Sequence, residues 1–313
     1  MNFFAIVLEQ LEIFAIYMLI GTAAVRAHIL NRERLGVLSD LVTKILLPLL
    51  IFTNTINGTT RDQFLSSSII LVIATFQYLF LYFLSGFLVR ASRLEGNRKK
   101  VYRACTTFGN CGFMGIPIVT ALYPEQSGLY LAMYTVVDQL MLWTLGLELT
   151  TPVDTGKPTL PVARRLRKMV NPATVSILFG VILVLTGLKL PAVIVKALTK
   201  TGAAAPPLSM IYLGGMFSFI RVSEYVKKAE IYLMIVIRMV AAPLFVYNVL
   251  QCIPGLDLSI AVTLSVICGL PSMSSVAMLA ESQHSDSDYS AGMIFITTIF
   301  SIVTLPFVCY LLK

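Results

Sequence analysis

The sequence predicts an all-α protein that crosses a membrane many times, and three observations carry the prediction. Of its 313 residues 57% are hydrophobic and 13% charged, against about 25% charged in an ordinary soluble domain. Mean hydropathy is +0.83, and apolar stretches of about 20 residues, the length that spans a bilayer, recur along the whole chain. Two of these stretches are interrupted in the same manner. FGNCGFMGIPIV at 108–119 carries three glycines and a proline, and CGLPSMSSVAM at 268–278 interrupts the second half of the chain.

The apolar pattern places spans at 6–28, 35–57, 64–89, 102–122, 128–151, 171–187, 192–219, 229–250, 258–281 and 289–312. Ten spans leave no room for a sizeable soluble domain. The first carries Glu9 and Glu12 and lacks both a basic start and a small-residue cleavage site, so it reads as a retained helix rather than a signal peptide. The five cysteines (Cys105, Cys111, Cys252, Cys268 and Cys309) have neither paired nor metal-type spacing and read as small buried packing residues. No cofactor or metal is implied.

If the connections alternate sides, the 1–2, 3–4, 5–6 and 7–8 connections hold Arg26, Arg32, Arg34, Arg90, Arg93, Arg98, Lys99, Lys100, Arg103, Lys157, Arg164, Arg165, Arg167, Lys168, Arg221, Lys227 and Lys228. The other side holds Arg61, Lys189 and Lys313. The positive-inside rule makes the crowded side cytoplasmic. The expectation is a multi-pass protein of the cell (inner) membrane with both termini extracytoplasmic. The net charge of +8 then sets orientation and does not advertise a nucleic-acid partner.

The halves match in spacing. Pro48 and Pro207 differ by 159 positions, Arg61 and Arg221 by 160, and Pro117 and Pro271 by 154. Two five-span repeats follow, 1–152 and 169–313, joined by a basic cytoplasmic linker at 153–168. An odd number of spans per repeat inverts the second relative to the first, and interrupted spans 4 and 9 become crossed partners.

GNCGFMGIP in span 4, NPATVSILFG opening span 6, AAAPPLSMIYLGGMF in span 7 and IFITTIFSIVTLPFVCYLL at the end resemble the auxin efflux carrier family over the full length. That family includes plant PIN-FORMED proteins and bacterial carriers of malate and malonate type. The resemblance implies a scaffold of helices 1, 2, 6 and 7 and a transport domain of helices 3–5 and 8–10. It also implies crossing at midplane, small organic anions as substrates and homodimers formed through the scaffold. The 153–168 linker is much shorter than the central loop of the plant carriers, which points to a bacterial-type member.

Physically, a helix restarting at midplane presents unpaired N–H groups and about half a positive charge, and two such starts suit an anion. The expected substrate site comprises Asn110, Gly112, Gly115, Ile116, Pro117, Pro271, Ser272, Ser274 and Ser275. Gly112 and Gly115 allow close backbone approach, and Pro117 and Pro271 suit a first helical turn. The serines offer hydroxyls, and Asn110 offers an amide; by resemblance the matching asparagine contacts substrate. The bland reading of each piece is a kink, a cap or an interhelical hydrogen bond.

Ionisable groups away from helix ends are costly in a bilayer. Asp138 in span 5 and Arg238 in span 8 are candidates for ion coupling or mutual charge compensation. Lys44, four residues after Asp40, shares a helix face with it and reads as a structural pair. Gln77 is a candidate for lining a cation or substrate site. Gln77, Thr106, Thr107 and Asn110 offer oxygens to sodium, but no carboxylate is clearly adjacent, and a proton through Asp138 is the other coupling route.

These features predict a secondary transporter of a small mono- or dicarboxylate working by alternating access. The alternatives are an anion sensor on the same fold and a sodium-coupled symporter. An enzyme is disfavoured, since neither HExxH nor GxSxG occurs and Asp138 has no mid-span aspartate partner.

Overall fold

The computed structural model describes residues 3–57, 60–62, 68–123, 125, 127–153 and 172–312. The linker expected at 153–168 lies outside them except for Val153, as does Lys313. Among the described residues the chain is helical throughout, with one isolated two-residue β-bridge.

The helices in order are α1 (Phe3–Arg26), α2 (Arg32–Ile56), α3 (Ile69–Ser92), α4 (Gly96–Thr107), α5 (Cys111–Leu122) and α6, which runs from Ser127–Met141 on to Leu147–Thr150. The second half holds α7 (Pro172–Thr186), α8 (Ala192–Gly202), α9 (Ala205–Phe217), the short α10 (Val222–Val226), α11 (Ala229–Gln251), α12 (Leu258–Cys268), α13 (Ser274–Ser282) and α14 (Ser287–Leu311). Within α1 the segment Val7–Arg26, together with α2, α3, α11 and α14, is long and apolar enough to cross a membrane, while α5, the Thr174–Thr186 part of α7, and α12 are shorter apolar helices. The chain is therefore a polytopic helical membrane protein.

Among the described residues four helices contain a π-helical turn, at Val42–Leu46, Cys111–Gly115, Leu142–Gly146 and Ile235–Ala241. Three of them are followed at once by a proline, Pro48, Pro117 and Pro243, in the first α-helical turn. A proline has no N–H for the carbonyl four residues earlier and its ring crowds that carbonyl. Widening the preceding turn relieves both problems without ending the helix. Lys44 and Arg238 lie inside two of these widened turns.

The stretch expected as one span at 192–219 is two helices, α8 and α9, separated by a turn at Ala203–Ala204. Pro206 and Pro207 cannot extend a helix backwards from the start of α9. Gly202 sits where an added Cβ would come within 2.6 Å of the Leu50 backbone N. Cys252 also departs from expectation. It is exposed at the end of α11, whereas the other four cysteines are buried.

Helices α1, α2, α7, α8 and α9 pack as one group through glycine contacts. A Cβ on Gly21 would stand 2.0 Å from the Ile211 carbonyl oxygen, and one on Gly214 would stand 1.9 Å from that of Met18. The Thr22 hydroxyl donates to the Gly214 carbonyl at 2.9 Å, and Phe52 stacks on Phe179. Helices α3 to α6 and α11 to α14 form the second group, with α3 packed on α4 and α6, α11 on α12, and α13 on α14. Along the seam between the groups lie two cavities. One, of about 290 Å³, is polar in part and touches α2, α6, α7 and α13; the other, of about 260 Å³, is apolar and touches α1, α5, α9 and α14.

Contacts between connections sort the two ends of the bundle. At one end Arg32 meets Asp288 at 3.4 Å, Arg98 and Lys228 lie over the Tyr289 ring, and Lys100 donates to the Thr151 carbonyl at 3.2 Å. At the other end Asn57 meets Thr199, and Tyr130 meets Ser259.

Candidate functional site

The two interruptions foreseen in the sequence meet each other. Helix α4 ends at Thr107, and Phe108 to Asn110 run unwound before α5 begins at Cys111. Helix α12 ends at Cys268, and the chain is unwound to Met273 before α13 begins at Ser274. The Asn110 N–H donates to the Pro271 carbonyl at 2.9 Å, and the Met273 N–H donates to the Phe108 carbonyl at 3.0 Å. These bonds make an antiparallel bridge centred on Gly109 and Ser272. The Ser272 hydroxyl donates to the Cys105 carbonyl at 2.9 Å, and its N–H donates to the Thr297 hydroxyl oxygen at 3.2 Å. Unwound backbone inside a bilayer must find partners within the protein, and here each broken helix supplies the other's.

This geometry alters the expected roles of several residues. Pro271 was expected in a first helical turn; it lies three residues before α13, and its carbonyl closes the bridge. Pro117 does sit in the first α-helical turn after the π turn, but α5 as a whole starts earlier, at Cys111. The Ser272 hydroxyl is held by backbone. Gly112 and Gly115 are buried, a Cβ on them meeting Leu47 at 3.4 Å and Leu270 at 2.8 Å, while the tightest site of the crossing is Gly109. Ile116 stands at the junction between the π turn and the α-helical part of α5.

Several polar groups at the crossing have no protein partner. Both amide atoms of Asn110, the Ser274 hydroxyl and the Thr107 hydroxyl are buried and unpaired. Each such group costs about 1–3 kcal/mol relative to a satisfied one, so a cluster of them beside two helix starts needs an explanation. The Cys111 N–H, the first of α5, donates back to the Gly109 carbonyl at 2.7 Å, and the N–H groups that follow it, like those at the start of α13, add the donor chemistry of a helix restart. Ser275, one residue into α13, lines the 290 Å³ cavity.

That cavity also exposes Asp40, Lys44, Gln139 and Trp143. Lys44 pairs with Asp40 at 2.7 Å, as their spacing predicts, with both side chains more than half exposed. The Trp143 indole N–H and the Gln139 amide oxygen have no protein partner.

Asp138 lies behind the crossing, fully buried. It accepts from the Tyr78 hydroxyl and, at 2.9 Å, from the Gln139 amide. The Gln77 amide donates to the Tyr134 hydroxyl at 3.3 Å, and Tyr78 and Tyr134 pack ring against ring. No ion pair joins Asp138 to Arg238, so mutual neutralisation of these two is not what the structure builds. Arg238 is also fully buried and donates through Nε to the Thr106 carbonyl at 3.2 Å. The sequence reading missed Tyr78, Tyr134 and Trp143. Their signal, a hydroxyl or indole N–H within an apolar span, is visible only once a neighbouring polar group is known.

The fold therefore defines a polytopic membrane protein whose two broken helices cross and lock together. Residues 5–159 and 160–309 match the family described as membrane transport protein. The chain belongs to that family, as its resemblance to the auxin efflux carriers implied. It is also similar to an uncharacterized transporter of Methanothermobacter thermautotrophicus, 26% identical over 281 residues that cover 89% of each chain.

Proposed function

We propose that this protein is a secondary transporter of small organic anions bearing one or two carboxylates, with the substrate held at the crossing and moved by alternating access. The observation that carries the reading is the coincidence of two helix starts with the unpaired Asn110 amide and Ser274 hydroxyl. A carboxylate supplies the acceptor that these donors lack. Its path is the seam cavity, where Lys44, the Trp143 indole N–H and Ser275 meet an incoming anion.

The same reading takes the chain as ten spans in two inverted repeats. Span 4 is then α4 with α5, span 7 is α8 with α9, and span 9 is α12 with α13. The scaffold is α1, α2 and α7 to α9, through which two copies pair, and the remaining long helices move. The two packed groups and the seam between them support this division. The sorting of the connections by end supports the basic side as cytoplasmic and both termini as extracytoplasmic in the cell membrane. Bundles of this kind work by one body moving against the other around a fixed site.

A proton is the coupling ion that the buried network favours. Asp138 faces the Tyr78 hydroxyl of α3 and has Gln139 and Tyr134 on its own helix and Cys111 of α5 nearby. Arg238 of α11 stands near Tyr78 and Tyr134. Exchange of a labelled carboxylate across proteoliposomes, run over a panel of mono- and dicarboxylates, tests the transporter reading. Saturable exchange of at least one member is expected; tight binding with no exchange would make the pocket that of a sensor.

A further inference from the structure

Arg238 is the largest side chain in the described structure with essentially no exposure, and nothing in the transport reading so far uses its charge. It sits in the π turn of α11 that precedes Pro243. Two contacts fix where its guanidinium lies. Nε donates to the carbonyl of Thr106, in the last turn of α4. Nη2 lies against Gly109, where an ideal Cβ would be 2.5 Å from it and 3.3 Å from the Ile267 carbonyl oxygen, in the last turn of α12. The guanidinium is thus beside the carbonyl ends of both first half-helices. Nη1 and Nη2 donate to no protein atom.

Helix carbonyl ends carry about half a negative charge each. In transporters built on broken helices, such ends and the unwound carbonyls beside them are where a coupling cation is coordinated. The oxygens that sodium would need here are engaged only in part. The Thr106 hydroxyl donates to the Tyr102 carbonyl at 2.8 Å and the Asp138 carboxylate is held by Tyr78 and Gln139, whereas the Gln77 amide oxygen, the Thr107 hydroxyl and the Asn110 amide oxygen have no protein partner; what stands against sodium is the charge of the guanidinium. A sodium ion also takes oxygen ligands, and a guanidinium already bonded to one of those carbonyls repels it.

We propose that Arg238 is a tethered cation standing permanently where a coupling ion would bind, so that the crossing holds its shape without sodium. The charge is covalently part of α11 and travels with the helices it neutralises. The carbonyl ends of the first half-helices are thereby neutralised by a fixed charge, and the helix starts are left to an anion. The proposal builds on the geometry of the crossing and is read without substrate, so its failure leaves the transporter reading untouched.

The test is thermal melting of the detergent-solubilised protein in sodium chloride against choline chloride at equal ionic strength. The wild type is expected to melt at the same temperature in both; a saturable stabilisation by sodium would overturn the proposal. Arg238→Ala is expected to melt roughly 5–10 °C lower. Millimolar ethylguanidinium should restore it saturably, whereas ethylurea, which has nearly the same shape and no charge, should not. Equal recovery by both, recovery by neither, or a wild-type melt without additive would show that the position needs bulk, or nothing, rather than charge. Should Arg238→Ala not fold, Arg238→Lys and Arg238→Gln carry the comparison. The lysine variant, which keeps a cation, should melt several degrees above the glutamine variant, and equal melting overturns the proposal.

Discussion

Gly109→Ala is the smallest change that probes the crossing. An added Cβ would lie 2.5 Å from Arg238 Nη2, 3.3 Å from the Ile267 carbonyl oxygen and 3.5 Å from Leu270 Cβ. Ordinary contact begins near about 3.5 Å, so the guanidinium would have to withdraw by about 1 Å. A flexible surface arginine would do so freely, but Arg238 has no exposure. Its 3.2 Å bond to the Thr106 carbonyl would open past hydrogen-bonding range. A hydrogen bond to a charged group contributes about 1.5–3 kcal/mol, and overpacking costs about 1–3 kcal/mol more. The sum, about 2.5–6 kcal/mol, lowers the melting temperature by roughly 10 °C for a protein of this size. Melting followed by fluorescence of Trp143, the single tryptophan, reads the change. Gly36→Ala is the control, since a Cβ there meets nothing within 4 Å and alanine favours a helix by up to about 1 kcal/mol. If both variants melt alike, Arg238 does not press on the crossing and the reasoning fails.

Asn110→Ala should weaken carboxylate binding about 10- to 100-fold, the loss of a hydrogen bond to a charged group, while Lys189→Ala in the connection between α7 and α8 leaves it unchanged; calorimetric titration of both decides. Asp138→Asn should abolish accumulation driven by an imposed pH gradient yet retain substrate exchange in its absence, because the amide keeps the network's shape and cannot carry the proton. Accumulation that persists would remove Asp138 from coupling. Gly214→Ala places a Cβ 1.9 Å from the Met18 carbonyl oxygen, backbone against backbone. Helices α1 and α9 must part, so size-exclusion profiles should show a loss of monodisperse protein that Gly36→Ala does not cause.

Much of this was legible in the sequence, for identifiable reasons. Glycine and proline inside apolar runs announced the two breaks, because such residues cost a lipid-exposed helix hydrogen bonds that only a buried site restores. The Asp40–Lys44 pair was legible because helical spacing alone brings the two together. What stayed hidden depends on neighbours. The bridge between Phe108–Asn110 and Pro271–Met273 sets the position of both breaks, so Pro271 was misplaced by three residues when its own helix was read in isolation. The break between α8 and α9 answers to the close approach of Leu50 to Gly202. The π turns before Pro48, Pro117 and Pro243 follow from proline chemistry, yet a helix can also kink or stop there. Arg238 read as a partner for Asp138 because both are charged and deep in spans. Its actual partner, a main-chain carbonyl at a helix end, leaves no trace in residue type.

The central claim is that a carboxylate sits between the two helix starts. A density map of the protein saturated with the carboxylate that gives the strongest exchange tests it most directly. Density is expected within hydrogen-bonding reach of the Asn110 amide, the Ser274 hydroxyl and N–H groups in the first turns of α5 and α13. An unoccupied crossing, with substrate density elsewhere, would contradict it.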